Sequence, residues 1–194
     1  MGDNWMAYMT RALIALALIC FDFVVQAAPV ESRAQTVVVR RSTLLVGDLD
    51  RSIAFYEALG FTRSYDRGGE RDPARPMVLP LNVQPAASRL VIMKGRDPWI
   101  GMIGLLAYDR PKPPTNRKLA DQIGAGDTIL MVEIGDAAEA HTHLVSLGAR
   151  ILQPPQPFEA ALADGSPIKG INFFAVDPDG RVIEASQPSS GAPR

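Results

Sequence analysis

Cysteine is almost absent from this chain, and thiol chemistry is excluded with it. The one cysteine among 194 residues is Cys20, which lies in an N-terminal segment that we expect to be removed. The remaining chain then has no disulfide, no thiol nucleophile and no sulfur ligand for a metal. Histidine is also scarce, since His141 and His143 are the only two. They stand two apart on a predicted helix, so they point in different directions and cannot share a metal as an i, i+4 pair can.

The chain also lacks an excess of either charge. Its 20 Lys and Arg residues balance 21 Asp and Glu residues, and no basic stripe stands out. A nucleic-acid partner, which requires a cationic surface, is therefore not predicted. The composition, 47% hydrophobic and 21% charged, is that of an ordinary globular protein.

No apolar run is long enough to span a membrane. The stretch RALIALALIC continues into FVVQAA, but Asp22 interrupts it, and a spanning helix needs roughly 20 apolar residues. Arg11, the apolar stretch and the small residues near Ala27 instead resemble a secretory signal peptide over residues 1–28. We therefore expect a periplasmic or secreted protein with no stable membrane span after cleavage. A disordered or loosely anchored tail is the alternative.

What the chain does contain is one unit repeated twice. TLLVGDLDRSIAFYEALGF (43–61) and MVEIGDAAEAHTHLVSLGA (131–149) align without a gap at an offset of 88 residues. Each copy alternates apolar residues with period 2, then has Gly-Asp, apolar residues at helical spacing and Leu-Gly. The aspartate is typical of a helix N-cap and the last glycine of a helix C-terminus. Each unit therefore opens with a strand and a helix.

Three strand-like runs follow each predicted helix, which indicates an α+β fold of two βαβββ modules. We predict a first module at 37–110, a Pro-rich linker at 111–124, a second module at 125–188 and a disordered tail at 189–194. A curved mixed sheet built from two such modules would leave a concave face that can hold a ligand. The polar loop RGGERDPARP (67–76) is expected to be solvated, or to be a lid over that face.

The first repeat and the hairpin FFAVDPDGRVIEAS (173–186) resemble the vicinal oxygen chelate superfamily. That superfamily includes glyoxalase I, bleomycin-resistance proteins, extradiol dioxygenases and methylmalonyl-CoA epimerase, and the resemblance spans residues 37–188. It implies the paired modules and, by analogy, a homodimer. In the metal enzymes of the family, a divalent cation chelates two neighbouring oxygens of the substrate. The fold hosts many chemistries, so the resemblance does not by itself decide the function.

Only one of four family positions for metal ligands carries a ligand in this chain. The glutamate of the last strand matches Glu184, whereas the two first-strand positions fall on Arg41 and Ile129, and a fourth-strand carboxylate falls near Gly104. Arginine does not deprotonate and cannot coordinate a cation. We therefore expect no resident metal, with a divalent cation on displaced ligands as the alternative. Arg41 is expected to pair with Glu184, or to bind a carboxylate or phosphate through its planar fork.

Strand alternation predicts the other side chains of the ligand face. Every second residue of a first strand points the same way, and apolar residues near the fourth strand and the hairpin would form a ligand wall. The predicted ligand-binding residues are Thr43, Leu45, Ile129, Met131, Trp99, Met102 and Phe174. Glu133 shares the face of Ile129 and Met131 and joins Glu184 and Arg41 as a candidate catalytic residue.

Several functions are compatible with these residues. The first is an exported, metal-independent protein that binds a small anionic or oxygen-rich molecule. It could catalyse a lyase or isomerase step, with Glu184 or Glu133 as base and Arg41 at the developing oxyanion. The second is a sequestering protein of the resistance type, without catalysis. The third is a metal-dependent glyoxalase-type lyase or dioxygenase with displaced ligands, and the fourth is a structural role with a vestigial cavity.

Overall fold

A computed structural model describes residues 37–72, 74, 84–112, 123–162 and 164–189. The elements of the first module are β1 (Arg41–Leu45), α1 (Leu49–Ala58), β2 (Thr62–Glu70), β3 (Ala87–Lys94) and β4 (Met102–Asp109). Those of the second are β5 (Ile129–Glu133), α2 (Ala137–Ser146), β6 (Arg150–Ala161), β7 (Pro167–Val176) and β8 (Val182–Pro188). The predicted signal peptide lies outside the described residues, as do most of the predicted linker and tail. None of the described helices has the length and apolar character that a membrane crossing requires.

The strands form two four-stranded mixed sheets. Their orders are β1-β4-β3-β2 and β5-β8-β7-β6. In each sheet the first strand of the module lies at an edge, parallel to the last strand, and the other neighbours are antiparallel. The predicted α+β fold of paired βαβββ modules is confirmed. Among the described strands it takes the form of two sheets and not of one continuous curved sheet.

The residues predicted to cap the helices do so. The Asp48 carboxylate accepts a hydrogen bond from the backbone N–H of Arg51 at 3.0 Å, and the Asp136 carboxylate accepts two from the first turn of α2. Gly60 and Gly148 have φ values of +97° and +70°. This left-handed conformation ends a helix with little steric penalty only in glycine. The repeat therefore reproduces the same local structure twice.

One hydrophobic core extends through both modules. It contains Phe55 and Tyr56 from α1, Leu144 from α2, and the inward residues of both sheets, such as Leu105 and Phe173. Each helix packs on one side of its sheet, and the inward residues of β1 and β5 point to that side. The outward residues lie on the opposite side, which we call the open face. On β1 and β5 the open face carries Arg41, Thr43, Leu45, Ile129, Met131 and Glu133, all of them exposed.

Two parts of the first module differ from the sequence prediction. Residues 67–70 were expected in a loop, but they extend β2 to Glu70, which pairs with Ala87 of β3. The strand-like run WIGMIGLLAYD (99–109) predicted a fourth strand from Trp99 onward, but β4 begins only at Met102. The Asp97 carboxylate accepts hydrogen bonds from the backbone N–H groups of Trp99 and Ile100. These bonds fold the chain into a turn before the strand can start.

A buried carboxylate joins the two modules. Asp177, in the turn between β7 and β8, has a fully buried side chain. Its Oδ2 accepts hydrogen bonds from the Tyr56 hydroxyl at 3.3 Å and from Arg181 Nη1 at 3.0 Å. Its Oδ1 accepts from the backbone N–H groups of Asp179 and Arg181. The turn of the second module is thereby tied to α1 of the first.

The same turn also holds the end of β1. Asp179 Oδ1 accepts a hydrogen bond from the backbone N–H of Gly47 at 2.8 Å, and Arg181 Nη2 donates to the carbonyl of Leu45 at 2.5 Å. At the opposite end of β1, the turn that precedes β4 contacts β5 through an ion pair between Arg96 and Glu133. These contacts place the two edge strands, β1 and β5, at the junction of the sheets.

Tyr56 gives this junction a predicted pH dependence. Burial, and next the negative charge of Asp177, raise the pKa of the Tyr56 hydroxyl far above its ordinary value of 10.0. Above about pH 10 the tyrosine hydroxyl of the unfolded chain loses its proton, while that of the folded chain keeps it. The free energy of unfolding therefore falls as the pH rises. We expect Tyr56→Phe to flatten the loss of unfolding free energy between about pH 9 and pH 11, measured by urea titration at each pH.

Tyr65→Phe is the control for this prediction, because Tyr65 is 44% exposed. It should keep the alkaline slope of the unmodified protein. The slopes are compared and not the absolute stabilities, since Tyr56→Phe also removes the hydrogen bond to Asp177. Equal slopes for Tyr56→Phe and the unmodified chain would contradict the proposed coupling.

Candidate functional site

Arg41 lies over a residue that has no side chain. Thr43 is paired with Gly104 in the register of β1 and β4. A Cβ atom on Gly104 would lie 3.1 Å from Arg41 Cδ and 3.0 Å from Thr43 Oγ1. Arg41 Nε donates a hydrogen bond to Thr43 Oγ1 at 3.0 Å. The glycine thus makes room for the arginine stem, and the threonine orients the guanidinium.

The outer N–H groups of Arg41 are available to a ligand. Within the described residues, the only side-chain hydrogen bond of Arg41 is the one from Nε to Thr43, and no carboxylate lies within 4.0 Å of its guanidinium. A guanidinium cannot be neutralised at ordinary pH. Its two outer nitrogens form the planar fork that binds carboxylates and phosphates in a bidentate manner. Arg41 therefore presents an oriented cation on the open face.

Glu184 lies half-buried on the open face of the second sheet. In the register of the sheet it is opposite Phe174 of β7 and Met131 of β5. Its Oε1 accepts a hydrogen bond from Asn172 Nδ2 at 3.2 Å. This neutral amide orients the carboxylate without adding a charge. No cationic side chain of the described residues forms an ion pair with Glu184, so the carboxylate can accept a further hydrogen bond from a ligand.

Arg41 and Glu184 do not form the ion pair that was one expectation from the sequence. Each makes its hydrogen bond within its own module, Arg41 to Thr43 and Glu184 to Asn172. The open face consequently offers a cation from one sheet and a carboxylate from the other. Neither group has to be released from an ion pair with the other before a ligand can bind to it.

Glu133, the other candidate base, has a different environment. Its Oε1 lies 3.3 Å from Arg96 Nη1, and both side chains are more than half exposed. An exposed pair of this kind is screened by solvent and contributes little energy. The Arg96 guanidinium nevertheless already contacts Oε1 of this carboxylate. The catalytic role of Glu133 stays a prediction, and Glu184 is the better placed of the two carboxylates.

The predicted ligand-binding residues divide into those beside the charged groups and one that lies apart. Met102 pairs with Arg41 in the register of the first sheet, and Phe174 pairs with Glu184 in the second. Trp99 lies in the turn before β4, largely exposed, with the Arg40 guanidinium 4.9 Å from the centre of its ring. The residues with outward side chains on the edge strands are Thr43, Leu45, Ile129 and Met131. Ligand binding by these residues stays a prediction.

Sequence reasoning missed two residues that shape the site. Gly104 was noted only as a lost ligand position, whereas in the structure it provides the space that Arg41 occupies. Asn172 was not considered, although strand alternation places it on the same face as Phe174. A polar residue two positions from the partner of Glu184 was the available signal. The register of β7 against β8 was needed to use it.

The residues at the family's metal positions do not fit a divalent cation. Such sites require imidazole and carboxylate ligands, and here the positions hold Arg41, Gly104, Ile129 and Glu184. In the described part of the chain, no three His, Cys, Asp or Glu side chains come close enough to hold a metal. His141 packs edge-on against Phe173, and His143 is exposed on α2. The chemistry proposed below uses no metal, and the expectation of no resident metal stays a prediction.

Comparison with known proteins agrees with the fold. The sequence model of the Glyoxalase/Bleomycin resistance protein/Dioxygenase superfamily matches residues 37–185. The chain therefore belongs to this superfamily, the one that its repeat and its hairpin resemble. No curated protein matches the sequence significantly.

One of the similar solved structures shows the same fold at low sequence identity. A glyoxalase family protein from Bacillus cereus is 16% identical with a TM-score of 0.56, over 78% of this chain and 94% of that one. A glyoxalase/bleomycin resistance protein/dioxygenase domain from Frankia is 19% identical with a TM-score of 0.49, over 79% and 98%. Glyoxalase I from Zea mays is 21% identical with a TM-score of 0.48, over 77% of this chain and 44% of that one. The chain thus spans less than half of the maize protein.

Proposed function

We propose that this protein binds a small organic oxyanion on its open face, with Arg41 as the anion-binding group and Glu184 as a proton acceptor. The observation that carries the proposal is the position of the Arg41 side chain. It extends over Gly104, is oriented by Thr43, and has outer N–H groups without a partner in the described part of the chain. An arginine held in this way loses little side-chain entropy on binding a carboxylate.

The surroundings of the two charged groups favour a ligand with an apolar part. Met131 lies on the open face of β5 and is 65% exposed, and Phe174 pairs with Glu184 in the register of β7 and β8. A ligand that covers such side chains gains about 25 cal/mol for each Å² of apolar surface removed from water. The proposed ligand class is therefore a small carboxylic acid with an aliphatic or aromatic body.

Glu184 supports a proton-transfer step in this proposal. An oxygen of the Glu184 carboxylate takes the proton from a substrate carbon that is next to a carbonyl or carboxylate group. The electron pair of the broken C–H bond then moves onto the oxygen of that substrate group. The N–H groups of Arg41 stabilise the negative charge that develops there. Return of the proton to another carbon gives an isomerisation, and loss of a neighbouring leaving group gives a lyase reaction.

Sequestration without catalysis is the second candidate function. It is favoured by the exposed apolar side chains of the edge strands and by the pairing of Glu133 with Arg96, which leaves one carboxylate with no cationic partner among those described on the open face. A single variant distinguishes the two functions. Glu184→Gln should abolish turnover but keep ligand affinity if the protein is an enzyme.

Export and dimerisation complete the proposal. The signal-peptide-like segment at 1–28 supports a periplasmic or secreted location, which mass spectrometry of the mature N-terminus would test. The homodimer expected from the resemblance is tested by light scattering on the purified protein. A monomeric mass at all concentrations would remove the dimer from the proposal without affecting the anion site.

Arg41→Gln is the direct test of the anion site. We expect the affinity for the best ligand of a small carboxylate panel (glycolate, pyruvate and benzoate) to fall about 30-fold, because a charge-assisted hydrogen bond contributes roughly 2 kcal/mol. Gly104→Ala should weaken the same ligand, since the added methyl group lies where the arginine stem now runs. Isothermal titration calorimetry measures both effects.

Arg40→Gln is the matched control, because the neighbouring Arg40 lies over Trp99 and away from Gly104. It should retain the affinity of the unmodified protein. Equal losses in Arg40→Gln and Arg41→Gln would indicate a general effect of net charge, and an unchanged affinity in Arg41→Gln would overturn the proposal.

A further inference from the structure

A cation-lined cavity lies at the junction of the two modules. Its volume is about 230 Å³, and the first module contributes Arg51, Ala54 and Phe55 from α1. The second module contributes Arg150, residues 147–149 that connect α2 to it, and residues 176–178. None of the proposed open-face residues lines this cavity. We propose that it is a separate binding site for a small organic anion, such as a phosphate monoester with an apolar body.

The charge of the cavity favours an anion. Arg51 and Arg150 are both lining residues, and the Arg51 guanidinium has no ion-pair partner among the described residues. The one acidic lining residue is Asp177, whose carboxylate already accepts four hydrogen bonds, two of them from Arg181. Asp177 therefore adds little free negative charge. The guanidinium fork of Arg51 can therefore bind a carboxylate or phosphate group in a bidentate manner, and Arg150 adds a second positive charge to the lining.

The walls and the size of the cavity define the rest of the ligand. Phe55 and Val176 are buried core residues, and Ala54 lies beside them on α1. A volume of about 230 Å³ equals roughly seven or eight water molecules and lies below the usual range for drug-sized ligands. A single ring or a short branched chain with one anionic group matches this space. Because both modules form the walls, such a ligand would also stabilise the packing of one module against the other.

Nuclear magnetic resonance titration of the mature protein with phenyl phosphate tests the site. We expect shifts of the backbone amides of Ala54, Gly148 and Ala149, saturating below roughly 10 mM, a concentration that would largely fill a millimolar site. Arg51→Gln and Arg150→Gln should each weaken binding about tenfold. Inorganic phosphate should bind more weakly than phenyl phosphate, and phenol should cause no shift of these amides.

Two further variants separate this site from the open face. Arg71→Gln, which replaces an exposed arginine outside the cavity, and Arg41→Gln should both leave the shifts of the Ala54, Gly148 and Ala149 amides unchanged. Loss of binding in Arg41→Gln, or amide shifts confined to β1 and β8, would assign the ligand to the open face and overturn the second site. Absence of shifts up to the same concentration, or equal affinity in both cavity variants with an unchanged circular dichroism spectrum, would also overturn it.

Discussion

Replacement of Asp177 by alanine should lower the free energy of unfolding by about 3–5 kcal/mol, the range for removing one partner of a buried ion pair. The side chain of Asp177 is fully buried, and that of its partner Arg181 is only 18% exposed. Without the carboxylate, the Tyr56 hydroxyl and the two backbone N–H groups of the turn also lose their acceptor. A buried donor without a partner is itself destabilising. Urea denaturation of the mature protein measures the change.

The control for this variant is Asp97→Ala. Asp97 also accepts hydrogen bonds from two backbone N–H groups in a turn, those of Trp99 and Ile100, and they lower the pKa of its carboxyl. Its turn is exposed, so we expect a loss of about 1 kcal/mol or less. If Asp177→Ala lowers the free energy of unfolding no more than Asp97→Ala does, the Asp177 contacts stabilise only their own turn and not the packing of the two modules.

Gly170→Ala should destabilise the second sheet by about 3 kcal/mol or more, at the upper end of the range for overpacking a core. In the strand register, Gly170 of β7 lies between its partners Phe158 of β6 and Pro188 of β8. A Cβ atom would lie 2.7 Å from Phe158 Cε1 and 2.9 Å from Pro188 Cα, and closer still to the carbonyl oxygen of Gln187. Two of these atoms belong to the backbone, so the strands themselves would have to separate. Thermal and urea unfolding measure the loss.

Gly69→Ala is the matched strand-glycine control. Gly69 lies in β2, and a Cβ atom there would meet no atom within 4 Å. Its stability should change by less than about 0.5 kcal/mol, as for other surface substitutions. The double variant Phe158→Leu with Gly170→Ala should recover only part of the loss, because the contacts with the backbone remain. Full recovery would show that the aromatic ring alone causes the destabilisation.

The sequence was sufficient to predict the two modules and their helices, but not the limits of every strand. The Gly-Asp and Leu-Gly positions predicted both helices, because caps and helix ends depend on a few neighbouring residues. The end of β2 at Glu70 was missed, since pairing with β3 outweighed the local preference of Gly68 and Gly69 for a loop. The start of β4 at Met102 was also missed, because the hydrogen bonds of Asp97 decide where the turn ends.

The candidate site shows the same division. Alternation alone placed Arg41 and Thr43 on one face, and the resemblance singled out Glu184 on the last strand. The sequence did not predict that Arg41 would lie over Gly104, or that Asn172 and not Arg41 would contact Glu184. These facts depend on the register between strands that are distant in the chain.

The sequence by itself determined the repeated βαβββ unit and its helix caps, because these are properties of residue type and of short spacing. Only the tertiary structure decided how the modules meet. The contacts of Asp177 with Tyr56 and of Arg181 with Leu45 join residues more than 100 positions apart. The cavity between Arg51 and Arg150 exists for the same reason: helix α1 and the start of β6 become neighbours only after both modules have packed on one core.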